Sequence, residues 1–133
     1  MTTEAPSLTR DALAALPDSY FKAVDAKDVD AVVSHFADDA TLTVQTDHVT
    51  FTGAADIRRM FADFLANSPR VTHEITNIVV EEAAAKVATE QNYVGELADG
   101  TKNDMHNCNF FDVGPDGKFT RVIIWMAGTN PLK

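Results

Sequence analysis

The sequence predicts an α+β domain in which helices of the N-terminal half pack on a strongly curved, mainly antiparallel sheet enclosing one pocket. Three observations carry this. Apolar residues recur at helical spacing through much of the chain up to Ala66. After Pro69 the period drops from 3.6 to 2 and stays there. The later periodic runs are joined by short links rich in turn residues, which suit antiparallel neighbours rather than crossovers. Helices, a hairpin, a helix and then four strands is an α+β order.

The elements follow in turn. Residues 1–6 read as a loose tail and 7–133 as one domain, since 133 residues leave little room for a second. Ser7 is the expected cap of a first helical turn towards Leu16, and Pro17 with Asp18 the start of the next helix. Tyr20, Phe21, Val24, Val29, Val32, Val33 and Phe36 keep helical spacing, with Asp28 capping a second short helix through Phe36. Ala40 to Gln45 alternates and pairs with Val49 to Thr52 across Asp47-His48. Gly53 breaks that strand, and Asp56 to Ala66 sets Ile57, Met60, Phe61, Phe64 and Leu65 on one face. Four strands are then expected, over Val71 to Val80, Lys86 to Leu97, Thr101 to Val113 and Phe119 to Met126.

Composition excludes several function classes. A net charge of −9 argues against phosphate backbones and against anionic membrane surfaces. The one cysteine, Cys108, rules out an internal disulfide and a thiolate zinc cluster. The longest apolar run, Val122 to Ala127, is far too short to span a bilayer, and Met1 to Asp11 has no signal-type apolar stretch, so a cytoplasmic setting is expected. The four histidines are scattered without ligand spacing and no phosphate-binding glycine loop occurs, so neither metal nor organic cofactor is expected.

Several segments resemble one known family. Phe36-Ala37-Asp38-Asp39-Ala40-Thr41-Leu42 is similar to its entry into the first strand, and Gly53 with the Ile57–Leu65 stretch to its third helix. Thr72-His73-Glu74-Ile75-Thr76-Asn77 resembles its third strand, and Asp116-Gly117-Lys118-Phe119-Thr120-Arg121-Val122 its last turn and strand. Over about residues 17–128 the chain thus resembles the nuclear-transport-factor-2-like superfamily, in its SnoaL-like branch. That resemblance implies a conical barrel open at one end, with a pocket for a small apolar molecule. It also implies a homodimer formed through the outer sheet face, where Val80, Val87 and Ile123 would need cover. The fold hosts many chemistries, so function must be argued from pocket residues.

The ketosteroid-isomerase pattern is incomplete here. Tyr20 takes its tyrosine position, but the base position falls on Val44 and the acidic donor position on Asn109. The Arg and two Asp of limonene-type epoxide hydrolases correspond to Gln91, Tyr93 and Ala127, none of them matching. The scytalone-dehydratase pattern fits better: Asp25-Ala26-Lys27-Asp28, His73 and Asn109 match, a second histidine position falls near Glu90, and the tyrosine position falls on Val24. Removing a proton beside a carbonyl needs a base and a group to handle the oxygen. Histidine suits the first task, a carboxylate can fix its tautomer, and an asparagine can donate to the oxyanion.

The candidate catalytic set is therefore His73, Asp25, Tyr20 and Glu90, with Asn109, Asn107, Met60, Phe64 and Trp125 for substrate binding and no metal ligand. Each has a plainer reading. Strand parity puts His73 and Asn77 on one face; Asp25 could be a solvated helix residue and Tyr20 mere core. About 140° of helix separates Tyr20 from Asp25, so they should not both enter the pocket equally. Glu90 shares a face with Ala88, Asn92 and Val94, which could be pocket, outer face or dimer interface. Asn107 and Asn109 are taken as inward, although a bulge would turn His106 and Cys108 in instead. The leading functional expectation is a cofactor-independent dehydratase, isomerase or cyclase acting on a small, apolar, cyclic molecule. A non-catalytic binding module and an oxygenase-type partner subunit are the alternatives.

Overall fold

A computed structural model describes residues 8–128 and 130–132. Helix α1 spans Arg10–Asp25 without a break, and Thr9 caps it by accepting from the Ala12 amide at 3.1 Å. The expected tail and the Ser7 cap lie outside the described residues. Pro17, expected to start a helix, sits inside this one. The buried stripe Leu13, Pro17, Tyr20, Phe21 and Val24 runs straight through it at helical spacing, so packing overrides the proline's local cost. Asp28 caps α2 (Val29–Val33) through the Ala31 amide, as expected, but the helix stops three residues before Phe36.

Strands β1 (Phe36–Val44) and β2 (Val49–Thr52) form the expected hairpin, and α3 (Ala54–Ala66) follows from Gly53, whose φ of 86° favours glycine. Strands β3 (Arg70–Glu81), β4 (Lys86–Glu96), β5 (Lys102–Val113) and β6 (Phe119–Trp125) form the antiparallel meander. The sheet order is β2-β1-β6-β5-β4-β3, with β1 parallel to β6. The chain therefore closes no barrel: β2 and β3 remain edges of an open sheet.

One sheet face is covered by helices, α1 chiefly over β3 and α3 over β1 and β2. The core lies between them. Its centre is aromatic: Tyr20 meets Phe36, Phe61, Phe111 and Phe119 edge-on, at centroid distances of 5.7–6.1 Å.

The other face carries exposed Val79, Val94, Phe110 and Trp125. Val80 and Val87, expected there, pack inward instead. For Val80 the cause is a register shift between Ile75 and Asn77, which moves alternate side chains of the second half of β3 to the opposite face. The same shift puts Asn77 outside, away from the face of His73, where it donates to Glu90 at 3.0 Å.

Candidate functional site

The site is built where the end of α1 meets the edge strand β3. Asp25 is the last residue of α1, and its carboxylate accepts twice from one residue. Oδ2 takes the His73 backbone N–H at 2.8 Å and Oδ1 takes the His73 Nδ1–H at 2.6 Å. An edge strand has outward-facing amides without strand partners, so the carboxylate satisfies one of them while it grips the ring. Phe21, one turn before Asp25 on the same helix face, stacks on the imidazole at 4.6 Å with planes 21° apart. Tyr93 flanks the ring at 5.1 Å. A carboxylate on Nδ1 fixes the tautomer with the proton there, so Nε2 keeps its lone pair.

His73 lines a central pocket with Tyr20, Phe64, Gln91, Tyr93, Asn107 and Asn109 among its walls. Asp25 stands behind the imidazole rather than in the wall, so Tyr20 and Asp25 do not share the pocket equally. The free space at its centre is about 40 Å³, room for a few waters. Met126, Pro131 and Leu132 close one side. Pro131 and Leu132 also bound an adjoining depression of about 290 Å³ beside α3, so the C-terminal turn separates the two spaces.

The middle of the inner face of β4 and β5 is polar. Thr89 donates to Gln91 at 2.7 Å, and Gln91 donates to Asn109 at 2.9 Å. Asn107 accepts the Ala127 backbone N–H at 3.1 Å. All four side chains are buried, as inward parity for Asn107 and Asn109 predicts. The Tyr93 phenol is pushed up by burial, with the Asp25 charge acting in the same direction and the neighbouring Asn103 amide against both. Tyr93 folds its ring over Gly95, where an added Cβ would lie 2.1 Å from the hydroxyl. Burial likewise pushes the Tyr20 phenol up, and among the described residues no hydrogen bond joins Tyr20 to His73 or Asp25.

Three expected site residues fall elsewhere. Glu90 projects from the outer face, where it bonds Asn77 and His106, because the inward residues of β4 are Val87, Thr89, Gln91 and Tyr93. Those two bonds hold its carboxyl below the usual range. Trp125 is 49% exposed on the outer face, since its neighbour Ile124 takes the pocket side of β6. Met60 is buried but faces the depression beside α3, not the central pocket, while Phe64, one turn later, reaches both. Cys108 is also outward, and burial, reinforced by the Glu90 charge, pushes its thiol up, away from thiolate chemistry.

Gln91 and Tyr93 enter the site although the sequence offered them only as mismatched epoxide-hydrolase positions. They share strand parity with Val87, which packs inward rather than on the outer face where it was expected and takes the odd-numbered face of β4 with it. His35 bonds the Ala31 carbonyl and Ser19, and His48 sits in the hairpin turn beside Gln45. Among the described residues, no group of three or more His, Cys, Asp or Glu is arranged to hold a metal, and no helix is long and apolar enough to cross a membrane.

A family model for the SnoaL-like domain matches residues 18–122. No curated protein matches the sequence. Among solved structures, a proposed aromatic ring hydroxylase from Novosphingobium aromaticivorans is 28% identical with a TM-score of 0.80, covering 92% of this chain and 96% of its own. The epoxide hydrolase/cyclase-like enzyme SalBIII, of pyran ring formation in the polyether salinomycin, is 20% identical with a TM-score of 0.80, covering 90% and 94%. A proposed SnoaL-like polyketide cyclase from Shewanella denitrificans is 13% identical with a TM-score of 0.79, covering 88% and 91%. At such identities the last two are similar in fold alone.

Proposed function

The chain belongs to the SnoaL-like domain family, and from that premise we propose that it is a cofactor-independent enzyme of proton-transfer chemistry, acting on a small cyclic molecule as a dehydratase, isomerase or cyclase. The observation that carries this is the His73–Asp25 pair. A carboxylate spends both oxygens on one residue and fixes the imidazole tautomer so that Nε2 carries the lone pair, and His73 lines the pocket. Nε2 is then the base that takes a proton from bound substrate, and the imidazolium returns it. Asn107 and Asn109 hold the substrate, and Phe21, Phe64 and Tyr20 supply apolar wall. Named neighbours of this fold include a proposed polyketide cyclase, an epoxide hydrolase/cyclase-like enzyme and a pinacolase, which supports an enzyme rather than a binding module. The name of the Novosphingobium protein favours a second reading, an oxygenase-associated role, but that reading leaves the dyad without a task.

Screening steroid, polyketide and aromatic catabolite libraries for conversion in metal-chelated, cofactor-free buffer tests the proposal. On a compound that is turned over, Asp25→Asn should lower the rate by at least about tenfold. An asparagine that accepts the His73 backbone N–H must turn its NH₂ to Nδ1. The ring proton then moves to Nε2 and the base is lost. Nitrogen-15 shifts of the imidazole report that tautomer change directly. Compounds that bind without conversion in any condition would leave a binding module instead.

The outer sheet face supports a homodimer. Val79, Phe110, Ile123 and Trp125 line a groove of about 450 Å³ there, and clustered apolar side chains of this kind mark contact surfaces. Light scattering at micromolar concentration should give twice the chain mass; a monomeric mass would remove this part of the proposal.

A further inference from the structure

Resting on the proton-transfer reading of the same pocket, we infer that Asn107 and Asn109 form a two-donor cradle for a carbonyl oxygen, set by the Ala127 amide and a Thr89–Gln91 relay. The substrate class is then a ketone-type compound with a C–H beside the carbonyl, and Gln91 and Thr89 are positioning residues.

The amide directions carry this. A backbone N–H can only donate, so the Asn107 atom facing Ala127 is its oxygen, and its NH₂ turns the other way. Thr89 donates to the Gln91 oxygen, which leaves the Gln91 NH₂ to donate to the Asn109 oxygen. Asn109 is thereby also left with its NH₂. Among the described residues neither NH₂ finds a protein acceptor, and both asparagines line the pocket that holds His73. Two residues apart on one strand face, they stand roughly 6.7 Å apart along the strand, close enough for two amide arms to converge on one oxygen. The relay is buried, with Thr89 and Gln91 1% and 2% exposed, so water does not compete for it.

Such a cradle is worth most where negative charge develops. The proton leaves the carbon beside the carbonyl for His73 Nε2. The C–H electron pair becomes the C=C bond, and the C=O π pair moves onto the oxygen. Return of that proton to carbon regenerates a ketone. Alternatively the oxygen pair re-forms the C=O bond, the C=C pair shifts to become the Cα=Cβ bond, the Cβ–OH bond breaks, and the leaving hydroxide takes the proton from the His73 imidazolium to depart as water. Neither route needs an oxidant or a co-reactant.

Cyclopentanone, labelled with carbon-13 at the carbonyl, is the probe, with cyclopentanol as its donor counterpart. Two readouts are followed: the carbonyl shift of the bound ketone and the rate of α-hydrogen exchange in D₂O. The bound shift should lie at or downfield of its value in water. It should move upfield in Asn109→Leu and Gln91→Leu and hold in His73→Gln. Exchange should fall by about 100-fold or more in Asn109→Leu, by the measure of one lost oxyanion donor, and by less in Gln91→Leu. Should either variant not fold, the paired Thr89→Val/Gln91→Leu change, which removes both relay partners together, carries the same test. A downfield shift without exchange in the wild type keeps the cradle and removes the proton-transfer reading. Exchange that needs His73, with a carbonyl shift indifferent to Asn109 and Gln91, does the reverse. An upfield shift, no ketone binding, or preference for cyclopentanol would overturn the cradle, the last because a reversed relay presents the asparagine oxygen.

Discussion

Replacing His73 with Gln should leave a folded protein whose turnover is cut by about 10²–10⁴-fold, the usual contribution of a positioned general base. Glutamine can still donate to Asp25 from its amide, so the link between α1 and β3 survives. Its side chain also keeps contact with Phe21, though it loses the stacked ring. What it lacks is a nitrogen that can take up and return a proton. Ligand affinity should change little, because the asparagines and aromatic walls are untouched. A histidine with a purely structural task would give the opposite pattern: a lower melting temperature and normal turnover in the protein that stays folded. A binding module would show affinity without turnover in either protein. Rate, affinity and melting temperature measured on this one variant separate the three.

Much of the architecture was legible because period and turn chemistry agree. The change from helical to alternating spacing after Pro69 marks the start of the meander to within a residue of β3. Asp28 marks a helix start and Gly53 a strand end for reasons local to the chain, although α3 begins at Ala54, two residues before the expected Asp56. The errors have a common physical source. Alternation is read through hydrophobicity, and a pocket reverses that signal. On β4 the inward face includes Thr89 and Gln91, while the outward face includes Ala88 and Val94. The polarity pattern thus drew Glu90 towards the site and away from its real place beside His106. On β3 no glycine or proline announces the register shift between Ile75 and Asn77, so parity carried from His73 fails beyond it. Trp125 misleads for another reason: size and apolarity suggest burial, but its side chain stands 49% exposed on the outer face.

The dyad was legible residue by residue but not as a pair. Forty-eight positions separate Asp25 from His73, and only the packing of α1 across β3 brings them together. Phe21 could have pointed to it. It lies one turn before Asp25 on the same helix face, so anything gripped by Asp25 would lie against its ring. The relay behind Asn109 had no comparable signal, because Gln91 bonds diagonally to Asn109 rather than to Asn107, its direct partner in the ladder.

Phe111→Ala should be among the most damaging core changes, costing about 3–5 kcal/mol. Phe111 is fully buried on the inner face of β5, two residues beyond Asn109. Its ring lies 4.8 Å from Phe119 and 5.9 Å from Tyr20, and it also meets Phe21 at 6.3 Å. Removing it opens a hole between α1 and the sheet, at the layer that holds the aromatic cluster together. These neighbours belong to two other elements, α1 and β6, so neither side can close the gap without moving its own backbone. For a domain of this size the loss corresponds to a fall of roughly 10–20 °C in Tm. The adjacent Phe110→Ala is the control, since Phe110 faces outward and is 46% exposed. Within a monomer it should change stability by about 0.5 kcal/mol or less. If the outer face joins two copies, it should instead weaken association, seen as a melting temperature that depends on protein concentration. Equal losses for the two variants at every concentration would mean that the inward and outward faces of β5 have been assigned wrongly, and with them the asparagines of the pocket.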